Sequence, residues 1–180
     1  MNDPISNFFQ QQLTLDNKQS FNYPANSAMV EKSLRDVVIE FLRGENWQYT
    51  VTENPTILRM MCHGENGQWR CYAQIKEAEG QFIFYSVCPV KSPAKKLNAI
   101  AEYISRANYG MAIGNFELDF SDGEIRFRTS IQAQGNWLNL DSVKHLVYTN
   151  ASMMDRYLPG IFAVVENTEP EAAIKAVEPL

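Results

Sequence analysis

Four carboxylates and two arginines lie within the stretch FELDFSDGEIRFR, residues 116–128. Carboxylates that lie close together can hold a divalent cation, or can divide the roles of general acid and general base between them. The charged residues also alternate with apolar ones, which is typical of a β-strand with one buried face. Two interpretations therefore compete for this stretch: a metal or catalytic cluster, and a charged β-hairpin.

The pair Asp122-Gly123 favours the hairpin, because both residues tolerate the positive φ that a two-residue type I′ turn requires. Such a turn sets opposite charges across from each other, Asp119 with Arg126 and Glu117 with Arg128. The apolar face of the hairpin then collects Phe116, Leu118, Phe120, Ile125 and Phe127. The acids are predicted to pair with arginines, so we assign no catalytic residue, metal ligand or cofactor to the chain.

Cysteine and histidine are the other residue types that could hold a metal. The three cysteines, Cys62, Cys71 and Cys88, do not have the Cys-x-x-Cys spacing of common zinc sites. His63 follows Cys62 directly, so the two side chains point to opposite faces of a strand. The spacing therefore disfavours a zinc site.

A disulfide is a separate question. A type I′ turn at Asn66-Gly67 would set Cys62 directly opposite Cys71, which makes a disulfide between them geometrically conceivable. A three-residue turn through residues 78–80 would displace Cys88 from Cys71. Because the cytoplasm is reducing, we expect the cysteines to be small core residues instead.

Lys91, Lys95 and Lys96 surround the predicted start of a helix, where positive charges oppose the helix dipole. Such a cluster can bind a phosphate or an acidic segment of a partner, and a solvated surface cluster is the alternative. Gly110 and Gly114 do not form a phosphate loop, because they precede a strand and not a helix.

Phe82 and Phe84 alternate with Ile83 and Tyr85, so neither face of their predicted strand is polar. Helices can cover one face. The other face then needs a second subunit, the N-terminal tail or a client peptide, unless helices cover the sheet on both sides. Phe82 and Phe84 are therefore candidates for an interaction face.

Periodic apolar residues predict the elements that position these side chains. A first helix is predicted from a cap at Asn26 or Ser27 to Gly44, and a second from Ser92 as N-cap to Gly110. Four strands lie between them, in the segments WQYTVT, ILRMMCHG, WRCYAQIKE and QFIFYSVCP. The charged hairpin follows, and then an apolar stripe over residues 140–165 that Pro159-Gly160 should kink or split into two helices.

The predicted fold class is therefore α+β, an antiparallel sheet with helices packed on it in the order α-ββββ-α-ββ-α. Residues 1–26 are rich in Asn and Gln and residues 166–180 are acidic, so we expect two tails around one domain at 27–165. A net charge of −5 disfavours nucleic acid and anionic membranes as partners. Without a secretory signal or a long apolar run, the expected location is the cytoplasm.

Residues 37–165 resemble the YbjN family of bacterial proteins, in particular its cyanobacterial members, whose domain has a fold like that of type III secretion chaperones. The resemblance rests on the run AEYISRANYGMAIGNFELDFSDGEIRFRTSI, in which Asn108 closes the helix and Gly114 precedes the strand, and on Pro93 before that helix. It implies a non-enzymatic regulator of stress or sensory signalling. The similar secretion chaperones are homodimers that bind extended client segments, so we expect a homodimer with an unknown client protein.

Overall fold

The computed structural model describes residues 32–133 and 138–178. The helices are α1 (Leu34–Gly44), α2 (Leu97–Asn108), α3 (Leu140–Val165) and α4 (Pro170–Val177), and a short 3-10 helix, Ala94–Lys96, leads into α2. The strands are β1 (Tyr49–Val51), β2 (Ile57–His63), β3 (Gln68–Lys76), β4 (Gln81–Val87), β5 (Asn115–Leu118) and β6 (Ile125–Gln132). The predicted α+β class is thus confirmed, with one further helix at the C-terminal end.

All six strands form one antiparallel sheet in the order β1-β2-β3-β4-β6-β5. Apolar side chains at alternate strand positions face the helices and form the core, for example Leu58, Ala73, Phe84 and Phe127. The two edges of the sheet are β1 and β5. None of the described helices combines the length and the apolar character that crossing a bilayer requires.

Helix α1 begins at Leu34 because Ser33 and Asp36 form a reciprocal capping box, in which each side chain accepts a hydrogen bond from the other's backbone N–H. Ser33 caps this helix in place of the predicted Asn26 or Ser27, which lie outside the described residues, and the predicted end at Gly44 is confirmed. The N-terminal tail, residues 1–26, lies outside the described residues.

The turn between β2 and β3 is centred on Glu65-Asn66, where the Gly64 N–H donates to the Gly67 carbonyl at 2.8 Å. The turn predicted at Asn66-Gly67 is one residue too late, so the register differs by two and Cys62 faces Trp69, not Cys71. The loop between β3 and β4 spans residues 77–80 and not 78–80, which sets Cys71 opposite Ser86 and displaces Cys88.

The hairpin of β5 and β6 has a longer loop than the predicted two-residue turn. Leu118 pairs with Ile125, and Asp119 and Glu124 are joined by one backbone hydrogen bond of 2.9 Å, which leaves the four-residue loop 120–123. Gly123 ends this loop with φ +78°, the left-handed conformation that glycine allows. The register again differs by two, an even number, so the charged and apolar faces stay as predicted.

The loop changes the role of individual residues in the hairpin. Glu117 faces Arg126 instead of Arg128, and the predicted pair of Asp119 with Arg126 is wrong. Phe120 lies in the loop and is 59% exposed, so its predicted place on the buried face is also wrong.

Phe82 and Phe84 are fully buried in the core of the same chain. Their assignment to an interaction face is therefore wrong, because neither side chain is accessible to a partner. Ile83 on the opposite face of β4 is also buried, and Tyr85 beside it is partly buried.

Helix α3 runs without interruption through Pro159, so the prediction that it splits into two segments is wrong. Proline cannot donate to the carbonyl of Asp155 four residues earlier. That carbonyl accepts a hydrogen bond of 3.1 Å from the Asn66 side chain instead, which leaves the helix without an unpaired polar group at this turn.

Residues 170–177 form helix α4, which packs on α2 and α3 and buries Pro170, Ala173 and Ile174. These residues were predicted to belong to a tail at residues 166–180, and the prediction is wrong for the part that forms this helix. Proline at the first helical position and buried apolar residues four apart are the signals for it. The domain boundaries at residues 27 and 165 stay predictions.

Candidate protein-binding groove

The acidic stretch at residues 116–128 has its charges satisfied locally. Glu117 lies 2.7 Å from Arg126 Nε and 3.0 Å from Arg128 Nε, so one carboxylate bridges two guanidinium groups. Asp119 accepts hydrogen bonds from the backbone N–H and the hydroxyl of Ser121, which lower the pKa of its carboxyl. Within residues 32–133 and 138–178, no three His, Cys, Asp or Glu side chains are placed to share a metal ion.

Lys91 forms an ion pair with Asp122, and this contact raises the pKa of the lysine and lowers that of the aspartate. The same loop is held by a backbone hydrogen bond of 2.8 Å from the Ser92 N–H to the Gly123 carbonyl. Ser92 therefore anchors the hairpin loop, and its predicted role as the N-cap of α2 is wrong. A Cβ on Gly123 would lie 2.2 Å from the Ser92 carbonyl oxygen, so only glycine fits this approach.

Lys95 and Lys96 lie in the 3-10 helix before α2, and neither forms an ion pair with the described residues. Lys91 is already paired to Asp122, so Lys95 and Lys96 are the members of the cluster without an ion pair in the described part of the chain. Binding of an anion by this cluster stays a prediction.

One edge of the sheet is closed by a side chain. The Asn108 amide accepts a hydrogen bond of 2.7 Å from the Phe116 N–H and donates one of 3.1 Å to the Phe116 carbonyl. Asn108 thereby takes the place of a neighbouring strand along β5. Asn108 is also the last residue of α2, as predicted, so this residue has two roles.

The other edge is open over part of its length. Strand β1 pairs with Leu58, Arg59 and Met60 only, so residues 61–63 of β2 have no strand on that side among the described residues. Because the Gly64 N–H points toward β3, the N–H and carbonyl of the preceding His63 point away from β3, toward the open side. An unpaired strand edge of this kind can accept an added strand.

A groove of about 1070 Å³ lies along this open edge, and we call it the edge groove. It is lined by residues 45–50 before and within β1, residues 59–64 of β2 and the turn that follows it, residues 69–70 of β3, and Tyr148, Ala151, Ser152 and Asp155 of α3. Met61 in its lining is 49% exposed, which is unusual for a methionine in a sheet. The groove thus combines apolar surface with an open backbone edge.

Aromatic side chains form the helix side of the edge groove. The ring of Trp47 lies edge-on to those of Phe84 and Tyr148, with centroids 6.2 Å and 6.3 Å away. Glu45 accepts hydrogen bonds of 2.7 Å from both Lys144 and the Tyr148 hydroxyl, and these lower the pKa of its carboxyl. The contacts orient Tyr148 in the groove wall.

Asp155 holds the end of the groove in place. Its carboxylate accepts hydrogen bonds from the backbone N–H groups of Glu65 at 3.0 Å and Asn66 at 2.8 Å, in the turn between β2 and β3. A Cβ on Gly64 would lie 2.1 Å from the Asp155 carboxylate, so glycine is needed there for space. The open edge of β2 is therefore fixed relative to α3.

Cys62 and Cys71 are joined by a disulfide between diagonal positions of β2 and β3, with their Cα atoms 6.3 Å apart. The expectation that these two cysteines are unpaired is therefore wrong, although both are buried as expected. Cys88 is a buried free thiol, and burial raises its pKa to about 11. The disulfide ties β2, whose edge is partly open, to β3 in the interior of the sheet.

The edge groove was not foreseen from the sequence, because its residues come from a short strand, the middle of the sheet and a distant helix. The one local signal is Met61, an apolar residue between Arg59 and His63 on the predicted polar face of its strand. Asp155 gives no such signal, since an aspartate in a long helix is ordinarily a solvated surface residue.

Residues 34–163 match the model of the YbjN family, whose description reads "Putative bacterial sensory transduction regulator". The crystal structure of YbjN, a putative transcription regulator from E. coli, is similar with a TM-score of 0.54 and 12% sequence identity, over 77% of this chain and 93% of that chain. The structure of the HopA1-SchA chaperone-effector complex has a TM-score of 0.46 and 13% identity, over 68% of this chain and 89% of that chain. No curated protein matches the chain.

Proposed function

The chain belongs to the YbjN family, and we propose that it is a non-enzymatic adaptor or chaperone-like regulator that binds a partner protein in the edge groove. The observation that supports this most is the unpaired edge of β2 at residues 61–63, beside exposed apolar surface. A partner segment that continues the line of β1 would gain backbone hydrogen bonds there and cover Met61.

The other edge of the sheet, at β5, is closed, and this supports β2 as the edge that binds a partner. Both backbone groups of Phe116 are already bonded by Asn108, so an added strand at that point would have to displace a side chain. At β2, residues 61–63 have no strand partner in the part of the chain that the structure describes, so an added strand would displace no strand there. The groove is therefore the better of the two edges for a partner.

Regulation of stress or sensory signalling, a homodimeric state and a cytoplasmic location are further parts of this proposal. The family description supports the regulatory part. An anion-binding regulator that uses Lys91, Lys95 and Lys96 has less support, because Lys91 is already bound to Asp122.

The experiment compares two substitutions at His63, whose backbone faces the open edge. His63→Pro removes the N–H that an added strand would use, while His63→Ala keeps it and removes only the side chain. Each variant and the wild type are used to copurify partners from the host, and retained proteins are quantified by mass spectrometry. We expect the same partner with wild type and His63→Ala, and its loss with His63→Pro.

A second variant separates loss of binding from loss of folding. Ser152→Trp fills the groove from the α3 side and leaves β2 unchanged, since Ser152 is an exposed groove residue. If both His63→Pro and Ser152→Trp melt at the wild-type temperature and still retain the partner, the proposal that the edge groove binds it is wrong.

A further inference from the structure

The carboxylates that line the edge groove are already engaged within the chain. Glu45 is bound by Lys144 and Tyr148, each at 2.7 Å. The carboxylate of Asp155 is bound by the two backbone N–H groups of the β2–β3 turn. Neither acid is therefore available to attract a cation from a partner.

The arginines that line the same groove, in contrast, are not engaged in ion pairs by other side chains among the described residues. Arg59 and Arg70 are exposed, and neither forms an ion pair with any residue in the described part of the chain. Arg59 faces Tyr72 and Arg70 faces Met61, so the two arginines are diagonal neighbours across β2 and β3. Their positive charges add to each other at one place on a chain whose net charge is −5.

An added strand would present its side chains alternately to the two sides of the sheet. On the α3 side they would meet Trp47, Tyr148 and Ala151, which are apolar or aromatic. On the opposite side they would meet the side chains of Arg59 and Arg70, which lie on the face of β2 and β3 away from the core. The two sides of the groove therefore select different side chains.

We infer that the partner of the edge groove is an extended protein segment in which carboxylates alternate with apolar residues. This inference rests on the proposed function and names the partner's chemistry. The carboxylates pair with Arg59 and Arg70, whose guanidinium groups bind carboxylates through two hydrogen bonds each. The apolar residues cover the aromatic wall, and the partner's backbone pairs with residues 61–63 of β2.

The test selects peptides from a random library displayed on phage, with the full-length protein as bait. We expect the enriched peptides to carry Asp or Glu at every second position, with Val, Ile, Leu or Phe between them. The bait Arg59→Glu/Arg70→Glu should fail to enrich these peptides. The control bait Lys32→Glu/Lys175→Glu has the same change of net charge at two exposed lysines that do not line the groove, and it should enrich them as the wild type does.

Affinities of one enriched peptide, measured by fluorescence anisotropy, make the test quantitative. We expect Arg59→Glu/Arg70→Glu to weaken binding by about tenfold or more, since two partly exposed ion pairs are lost. High salt should weaken binding to the wild type and change binding to the double variant little. His63→Pro should weaken binding and His63→Ala should not, because the backbone edge is also needed.

Four outcomes would overturn the inference. Enriched peptides without alternating acids, or equal loss with the lysine control, would show that the two arginines do not select the partner, while the proposed groove would stand. Binding that His63→Pro leaves unchanged would show that a polyanion attracts the arginines without strand pairing. No enrichment with the wild type, together with a copurified partner that ignores His63→Pro, would overturn the proposed function itself.

Discussion

Asp155 binds the turn between β2 and β3 with both its side chain and its main chain. The carboxylate accepts from two backbone N–H groups, and the carbonyl, which Pro159 leaves free, accepts from Asn66. The apolar stripe of α3 gives no indication of this role, because the turn that Asp155 binds lies 89 to 90 residues earlier in the sequence.

Replacing Asp155 with Asn should therefore destabilise the fold. The amide retains one acceptor oxygen but sets an NH₂ group against a backbone donor, and we expect the free energy of unfolding to fall by about 1–3 kcal/mol. Urea unfolding followed by circular dichroism measures this. Asp141→Asn, in the first turn of the same helix, is the control and should cost about 0.3–1 kcal/mol at most. Equal effects of the two substitutions would contradict the assigned role of Asp155.

Cys88 should make the stability fall at alkaline pH. Burial raises its pKa from 9.0 to about 11, so the folded state holds the thiol proton more strongly than the unfolded state does. The resulting stabilisation is complete below pH 9 and is lost as the pH rises from 9 toward 11, by about 2–3 kcal/mol in total.

The measurement is urea unfolding at several pH values between 8 and 10.5, for the wild type and for Cys88→Ala. The variant is expected to be less stable at pH 8, because it leaves a small cavity, but to lose less stability as the pH rises. Tyr157, whose pKa is raised to about 12 chiefly by burial, contributes to the alkaline loss in both proteins. Parallel pH curves for the two proteins would refute the role of Cys88.

At the scale of elements, the two edges of the sheet differ because one side chain closes β5. Asn108 bonds both backbone groups of Phe116, and Asn108→Ala leaves a partly buried N–H and carbonyl without these partners. We expect a loss of about 1–3 kcal/mol in the free energy of unfolding. Hydrogen exchange of the Phe116 amide should also become faster. Asn98→Ala, at an exposed position of the same helix, should change neither quantity.

The disulfide between β2 and β3 closes a loop with a sequence separation of 9 residues. Chain-entropy arguments give about 3 kcal/mol for a loop of this size, and the pairing of the two strands reduces the gain. We expect a reductant to lower the urea midpoint of the wild type and of Cys88→Ala, but not that of Cys62→Ala/Cys71→Ala. Alkylation of the unreduced, unfolded chain should modify one thiol, and modification of three would show that the disulfide is absent.

At the scale of the whole molecule, the oligomeric state is the open prediction. A homodimer of a 20.6 kDa chain has a mass of 2 × 20.6 = 41.2 kDa, which light scattering at micromolar concentration distinguishes from the monomer. We expect the dimer, and we expect His63→Pro to keep it if the edge groove serves a partner and not a second copy. A mass near 20.6 kDa for the wild type would remove the homodimer from the proposal without affecting the groove.

The sequence alone determined the element order up to residue 165, the fold class and the faces of the strands. These follow from the periodicity of apolar residues, since a helix and a strand each repeat at a fixed interval along the chain. It also determined the pairing of Glu117 with arginines, because an even shift of register keeps the same side chains on the same face. The alternation of charged and apolar residues in the stretch 116–128 is thus enough to assign it to a hairpin.

Only the tertiary structure decided the turns, the helix at the C-terminal end and the edge groove. The space around Gly123 and Gly64 is limited by atoms of Ser92 and Asp155, which lie far away in sequence. Local turn preferences therefore predicted both turns at the wrong residues. The open edge of β2 exists because β1 begins only at Tyr49, opposite Met60, while β2 continues to His63. A mismatch in length between paired strands is a property of the pairing, and neither strand's own residues encode it.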